Sequence, residues 1–117
     1  LELAGPEPRW WADHWHDPAG SIAGGVALSE MGGDLRPAST VLYGTPPWPE
    51  IRRAGRLSRD GAATVVLRER FWSPDLQEDA RLVPPLLAYA DALASGDPRE
   101  WEVAQSLAQR HEWPFRQ

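Results

Sequence analysis

The stretch PPLLAYADALASGDPREWEVAQSLAQR, residues 84–110, constrains the fold more than any other part of the chain. Its first half predicts a helix that begins near Pro85, because proline suits the first turn of a helix, and that ends at Gly96, a residue type common at helix C-termini. Apolar side chains recur through this segment at helical spacing. The predicted apolar stripe consists of Leu86, Tyr89, Ala90 and Leu93.

The second half of this stretch predicts another helix directly after Gly96. Asp97 is a favourable N-cap, Pro98 suits the first helical position, and Glu100 completes the pattern of a capping box. Apolar residues again recur at helical spacing, at Trp101, Ala104, Leu107 and Ala108. Since the connection between the two helices is short, the sequence predicts a C-terminal antiparallel αα-hairpin.

Three further elements are predicted upstream of this hairpin. Residues 21–31 have helical spacing of apolar side chains, and residues 39–44 form a short β-branched and aromatic run typical of a strand. Residues 55–71 predict a β-hairpin, because Asp60 and Gly61 form a turn signal between two strand-like runs.

Together these elements predict an α+β fold, with a small mixed sheet that contains a β-hairpin, one N-terminal helix and the C-terminal αα-hairpin. A chain of 117 residues fits one domain, which we assign to residues 21–117. Residues 1–20 are rich in proline and tryptophan and predict a linker or an edge segment. Because the chain does not begin with methionine, we expect it to be a fragment of a longer protein.

The composition excludes several classes of function. The chain has no cysteine, which rules out disulfides, thiolate nucleophiles and zinc–thiolate sites. It contains neither a dinucleotide-binding glycine motif nor a phosphate-binding loop with its lysine, and its serines lack the frame of a catalytic triad, so we predict no cofactor and no catalytic residues. No apolar stretch is long enough for a membrane span or a signal peptide, and we expect a cytoplasmic protein.

Positive charge is concentrated in one region of an acidic chain. The net charge is −5, yet residues 51–70 hold six of the twelve arginines and only two acidic residues. If this segment is helical, four arginines fall on neighbouring helical rows and form one positive stripe, which consists of Arg52, Arg53, Arg56 and Arg59. Such a stripe suits a solvated surface, an acidic protein partner or nucleic-acid phosphates, and these alternatives stay open.

The opening stretch WWADHWHDPAG, residues 10–20, raises the question of a metal site. A catalytic zinc needs three protein ligands, whereas His14 and His16 give two and lack the helical spacing of a zinc motif. We therefore predict no metal site, and we interpret Trp10, Trp11 and Trp15 as an aromatic plug or contact surface. A small metal-dependent hydrolase that uses His14, His16 and Asp17 remains an alternative, as does a ligand-sensing domain with these tryptophans around a pocket.

Four sequence segments, within residues 22–110, resemble one protein family. They are AGGVALSEMGGDLRP, STVLYG, VVLRERFW and, most specifically, LVPPLLAYADALASGDPREWEVAQSLAQR. Together they are similar to the C-terminal domain of AbiEi-type antitoxins, the DNA-binding components of type IV toxin–antitoxin systems. The opening Trp- and His-rich stretch has no counterpart in this resemblance.

The resemblance implies a non-enzymatic interaction domain of a transcriptional regulator. Proteins of this kind carry an upstream winged-helix domain that binds operator DNA, and their C-terminal domain assists repression and helps to neutralise a nucleotidyltransferase-like toxin. The expected partners are therefore that toxin, the winged-helix domain and, through it, operator DNA. A homodimer is compatible with the sequence.

Overall fold

The computed structural model describes residues 1–73 and 81–116. Its central element is a four-stranded mixed sheet. Its strands are β1 (Glu2–Leu3), β2 (Gly20–Ala23), β3 (Thr40–Gly44) and β4 (Val65–Glu69). The helices in the described ranges are α1 (Pro8–His14), α2 (Gly24–Glu30), α3 (Pro49–Ala54), α4 (Pro85–Ala94) and α5 (Pro98–Arg110). The predicted α+β class with a C-terminal helix pair is confirmed.

The sheet has the order β1–β4–β3–β2, with β3 and β4 parallel at its centre and antiparallel pairs outside them. The predicted β-hairpin over residues 55–71 is therefore wrong, because the neighbours of β4 are β1 and β3. The first half of that segment contributes a single bridge, from Ser58 to Ala4. A turn does occur at Gly61, where φ is +109°, but turn chemistry alone does not decide which strand pairs with which.

One face of the sheet carries aligned apolar residues, and α3 packs against this face. Ile22, Leu42 and Leu67 lie side by side in register and are buried. Two glycines in the strands leave room for α3. A Cβ at Gly20 would lie 2.7 Å from the Ile51 side chain of α3, and a Cβ at Gly44 would lie 3.2 Å from the same side chain. Small strand residues thus allow α3 to approach the sheet closely.

Residues 21–23 differ from the helix predicted over 21–31. They belong to β2, and the helix begins at Gly24, whose φ is +62°. The backbone of Ile22 also forms hydrogen bonds with residues 81–83, which lie outside the four strands. Its N–H donates to Arg81 O (2.6 Å), and its C=O accepts from Val83 N (2.9 Å). This second set of hydrogen bonds is long-range, so no local pattern distinguishes the strand from a first helical turn.

The αα-hairpin forms at its predicted position, and Asp97 caps α5 by accepting a hydrogen bond from Arg99 N at 2.9 Å. The buried faces differ in part from the predicted stripes, because Leu86 is 56% exposed and Trp101 is 46% exposed. Since α4 is apolar on nearly all sides, its sequence does not specify which side faces the core. The core residues of the hairpin are Ala88, Tyr89, Ala92, Val103, Ala104, Leu107 and Ala108.

Residues 1–20 contribute an edge strand and a helix to the same core. β1 pairs with β4, and α1 buries Trp11 completely. Trp15, just after α1, is also buried, and its Nε1–H donates to Gly20 O at 2.7 Å.

Among the described residues, no helix combines the length and the apolar character that crossing a bilayer requires.

The contact between Trp11 and Gly55 yields a stability prediction. A Cβ at Gly55 would lie 2.7 Å from Cη2 and from Cζ2 of the buried Trp11 ring, which has no space to move. We expect Gly55→Ala to lower the free energy of unfolding by about 1–3 kcal/mol. Because Trp11→Phe removes both contacting atoms, the same alanine should cost less in that background. Chemical denaturation of the four proteins of this cycle tests the coupling, and additive costs would contradict it.

Candidate partner-binding site

The four arginines at residues 52–59, which we call the arginine patch, lie on and just after α3. Arg52 and Arg53 occupy the last turn of the helix, which ends at Ala54. Arg56 follows with a left-handed backbone, at φ +50°, and Arg59 lies in the turn before Gly61. The continuous helical stripe that a longer helix would produce is therefore limited to Arg52 and Arg53.

The charges of the arginine patch are not neutralised by carboxylates among the described residues. Arg52 is half-buried and donates to Pro47 O at 3.4 Å, whereas Arg53, Arg56 and Arg59 are exposed. Within residues 1–73 and 81–116, ion pairs form at other arginines of the chain, namely Arg9, Arg81 and Arg99. The patch thus presents positive charge to solvent on an otherwise acidic protein.

The tryptophans of the opening stretch are mostly not available at the surface. Trp11 and Trp15 lie in the core, so they are not a contact surface. Trp10 is half-buried, and its ring stacks on that of His14 with centroids 5.2 Å apart. A contact role for this stretch therefore rests on Trp10.

The polar residues of the same stretch serve local structure. His14 Nδ1 lies 3.1 Å from Trp10 O, Asp17 accepts a hydrogen bond from Ala19 N at 2.9 Å, and His16 is exposed. In the described part of the chain, no three His, Asp or Glu side chains converge as metal ligands. The geometry therefore does not support the alternative of a metal-dependent hydrolase built on His14, His16 and Asp17.

The geometry of the described residues also does not support the ligand-sensing alternative. A hollow of about 570 Å³ lies beside α1 and α2, but polar and charged side chains form much of its wall, including Arg9, Asp13 and Arg36. Trp10, Trp11 and Trp15 do not line it. Trp11 and Trp15 pack in the core and not around this hollow.

A polar cluster that the sequence did not reveal joins the sheet to α4. Tyr43 OH donates to Asp91 Oδ2 at 3.3 Å, and Arg68 Nη1 donates to Tyr43 OH at the same distance. Burial raises the pKa of Asp91, although the bond from Tyr43 and the charge of Arg68 oppose that effect. The hydrogen bond to Tyr43 in turn raises the pKa of Arg68.

The pKa of a second carboxyl group near this cluster is also shifted. Burial raises the pKa of Glu100, and the charges of Asp97 and Asp91 raise it further. Asp91 and Glu100 line one hollow of about 360 Å³ between α4, α5 and the start of α2. No local signal in the sequence relates Arg68 to a carboxyl in a distant helix.

The raised pKa of Asp91 predicts a pH effect on stability. The folded state favours the protonated Asp91 carboxyl, so the contribution of this one group to stability falls as the pH rises above about 4, where unfolded aspartate ionises. We expect Asp91→Asn, which keeps an oxygen acceptor for Tyr43, to raise the melting temperature by a few degrees at pH 7 and to have little effect at pH 3. Thermal unfolding from pH 3 to 8 tests this, and an equal shift at both ends would contradict it.

The sequence of the chain matches one known protein family over nearly its whole length. No curated protein and no solved structure matches the chain. A family described as transcriptional regulator, AbiEi antitoxin, type IV toxin–antitoxin system, matches residues 1–112. The match includes the opening Trp- and His-rich stretch and all the strands and helices described above. The chain therefore belongs to the AbiEi antitoxin family of transcriptional regulators from type IV toxin–antitoxin systems.

Proposed function

We propose that this chain is a non-enzymatic regulatory domain whose arginine patch binds an acidic surface of a nucleotidyltransferase-like toxin. The observation that carries the proposal is the exposure of Arg53, Arg56 and Arg59 without carboxylate partners among the described residues. Unpaired guanidinium groups attract an acidic partner at long range and then form paired hydrogen bonds with its carboxylates. Membership of a type IV toxin–antitoxin family supports a toxin as the partner.

Operator DNA is a second candidate partner for the same patch. Guanidinium groups suit phosphates as well as carboxylates, and the family consists of transcriptional regulators. In this role the patch adds phosphate contacts to base contacts made by a winged-helix domain of the same protein. Four charges on a domain of net charge −5 give weak binding alone, so this role is assistance to repression. With either partner, the location that we propose is the cytoplasm.

Charge reversal tests the role of the arginine patch. We expect Arg53→Glu combined with Arg56→Glu to weaken toxin binding by about tenfold or more, equivalent to ~1.4 kcal/mol, because attraction becomes repulsion. Both side chains are exposed, so the melting temperature should stay nearly unchanged. Calorimetry with the purified toxin from the same operon measures the affinity.

A matched control separates the patch from net charge. Arg9→Glu combined with Arg36→Glu makes the same charge change at exposed positions outside the patch and should leave binding nearly intact. Equal losses in the two double variants would overturn the assignment of the patch. If DNA is the partner, the patch variant should instead reduce the salt dependence of operator binding by about two phosphate contacts.

A further inference from the structure

The outer face of the αα-hairpin carries apolar side chains that stay wholly or partly outside the core. On α4, Leu86 is 56% exposed, Ala90 is exposed and Leu93 is half-buried. Their helical spacing aligns them on one side of the helix. Trp101 of α5 is 46% exposed and borders, with Leu93, a hollow of about 210 Å³ where the two helices meet. We call Leu86, Ala90, Leu93 and Trp101 the exposed hairpin face.

The exposed hairpin face carries no charge along α4. The one charged residue of this helix, Asp91, points elsewhere and accepts a hydrogen bond from Tyr43 OH at 3.3 Å. Asp97 borders the face at the hollow beside Trp101. Adjoining apolar side chains on a surface, with polar groups at their border, are typical of an interaction site.

The charge of the chain favours a second copy as the occupant of this face. With a net charge of −5, two copies repel each other over much of their surface, and contact is least costly where neither copy presents a charge. The exposed hairpin face is such a place. A membrane is a poor alternative, because anionic headgroups attract basic helices and α4 has no basic residue.

The face is complementary to itself when two copies of α4 pack antiparallel. A twofold axis at Ala90 sets Leu86 of one copy opposite Leu93 of the other, so that each leucine gains an apolar neighbour. The small side chain of Ala90 lets the two helices approach closely at the axis. The Trp101 ring, which lies beyond Leu93, then covers the first turn of the opposite helix.

The ends of the two helices are also complementary in this arrangement. α4 begins after Pro84 with no side-chain cap and no acidic residue in its first turn, so nothing within the helix offsets its positive end. Asp97 is exposed just beyond the negative end of the same helix. Antiparallel packing brings Asp97 of each copy to the uncapped start of the opposite α4, where a negative charge is favourable.

We propose that the exposed hairpin face binds a second copy of this chain and forms a twofold homodimer through antiparallel α4 helices. The face is small beside the roughly 20–30 residues that each partner contributes to a stable interface, so we expect a weak dimer with a dissociation constant of the order of 100 µM. None of its residues belongs to the arginine patch, and the proposal does not depend on the role proposed for that patch.

Sedimentation velocity of the full chain, from about 10 µM to about 1 mM, measures the dimer through mass action. We expect the average mass to rise toward that of two chains. Ala90→Glu sets two carboxylates against each other at the axis and should weaken the dimer at least tenfold. The control, Ser106→Glu, adds the same charge at an exposed position of α5 that lines a different hollow, beside Gly33, and should leave the dimer nearly unchanged.

A disulfide tests the position of the axis, since the chain has no cysteine of its own. A disulfide needs two Cα atoms within about 7 Å of each other. In Ala90→Cys the two thiols meet at the axis, so mild oxidation should link the copies at least tenfold faster than in Ser106→Cys.

Three results would overturn the proposal. The mass of one chain at every concentration would leave the face to a different protein. A dimer that is undiminished in Ala90→Glu, or equal rates of cross-linking in the two cysteine variants, would place the contact elsewhere. Circular dichroism checks that each variant is folded, and Leu86→Gln, at a side chain already half exposed, replaces Ala90→Glu if the latter does not fold.

Discussion

The parallel pairing of β3 with β4 is the constraint on which the rest of the structure depends. Parallel neighbours cannot be joined by a tight turn, so the chain between Gly44 and Val65 must cross over the sheet. That crossover contains α3, which packs on the sheet beside two glycines and carries the first arginines of the patch. The same pairing sets Tyr43 beside Arg68, the arrangement that Asp91 completes from α4. One choice of strand partner thus positions both the arginine patch and the cluster of Tyr43, Arg68 and Asp91.

The sequence predicts those parts of the fold whose causes are local. The αα-hairpin is correct because the cap at Asp97 and the proline at Pro98 act within a few residues of the helix they start. The β-hairpin over 55–71 is wrong because Asp60 and Gly61 encode a turn, whereas the partner of β4 is decided by burial of Val65 and Leu67 across the sheet. Residues 21–23 show the same limit, since the bonds that make them a strand come from β3 and from residues 81–83.

The candidate sites also divide into those that a local signal in the sequence reveals and those that depend on long-range contacts. A count of charge along the chain is enough to find the arginine patch, and its exposure agrees with that simple signal. The burial of Trp11 and Trp15 could not be predicted from composition, because tryptophan suits a core and a contact surface equally well. Asp91 gave no signal at all, since its partners come from two strands that the sequence separates from it by more than twenty residues.

The bridge between Ile22 and Leu82 also affects how copies of this protein meet one another at high concentration. It covers the outer side of β2, so that one flank of the sheet offers no row of unpaired amides to another molecule. The opposite flank is β1, a strand of two residues with the charged Glu2 at its exposed position. A sheet covered on one side and cut short on the other is a poor template for edge-to-edge aggregation. The same bonds that attach residues 81–83, just before α4, to the sheet therefore cover the edge at which a further strand would pair.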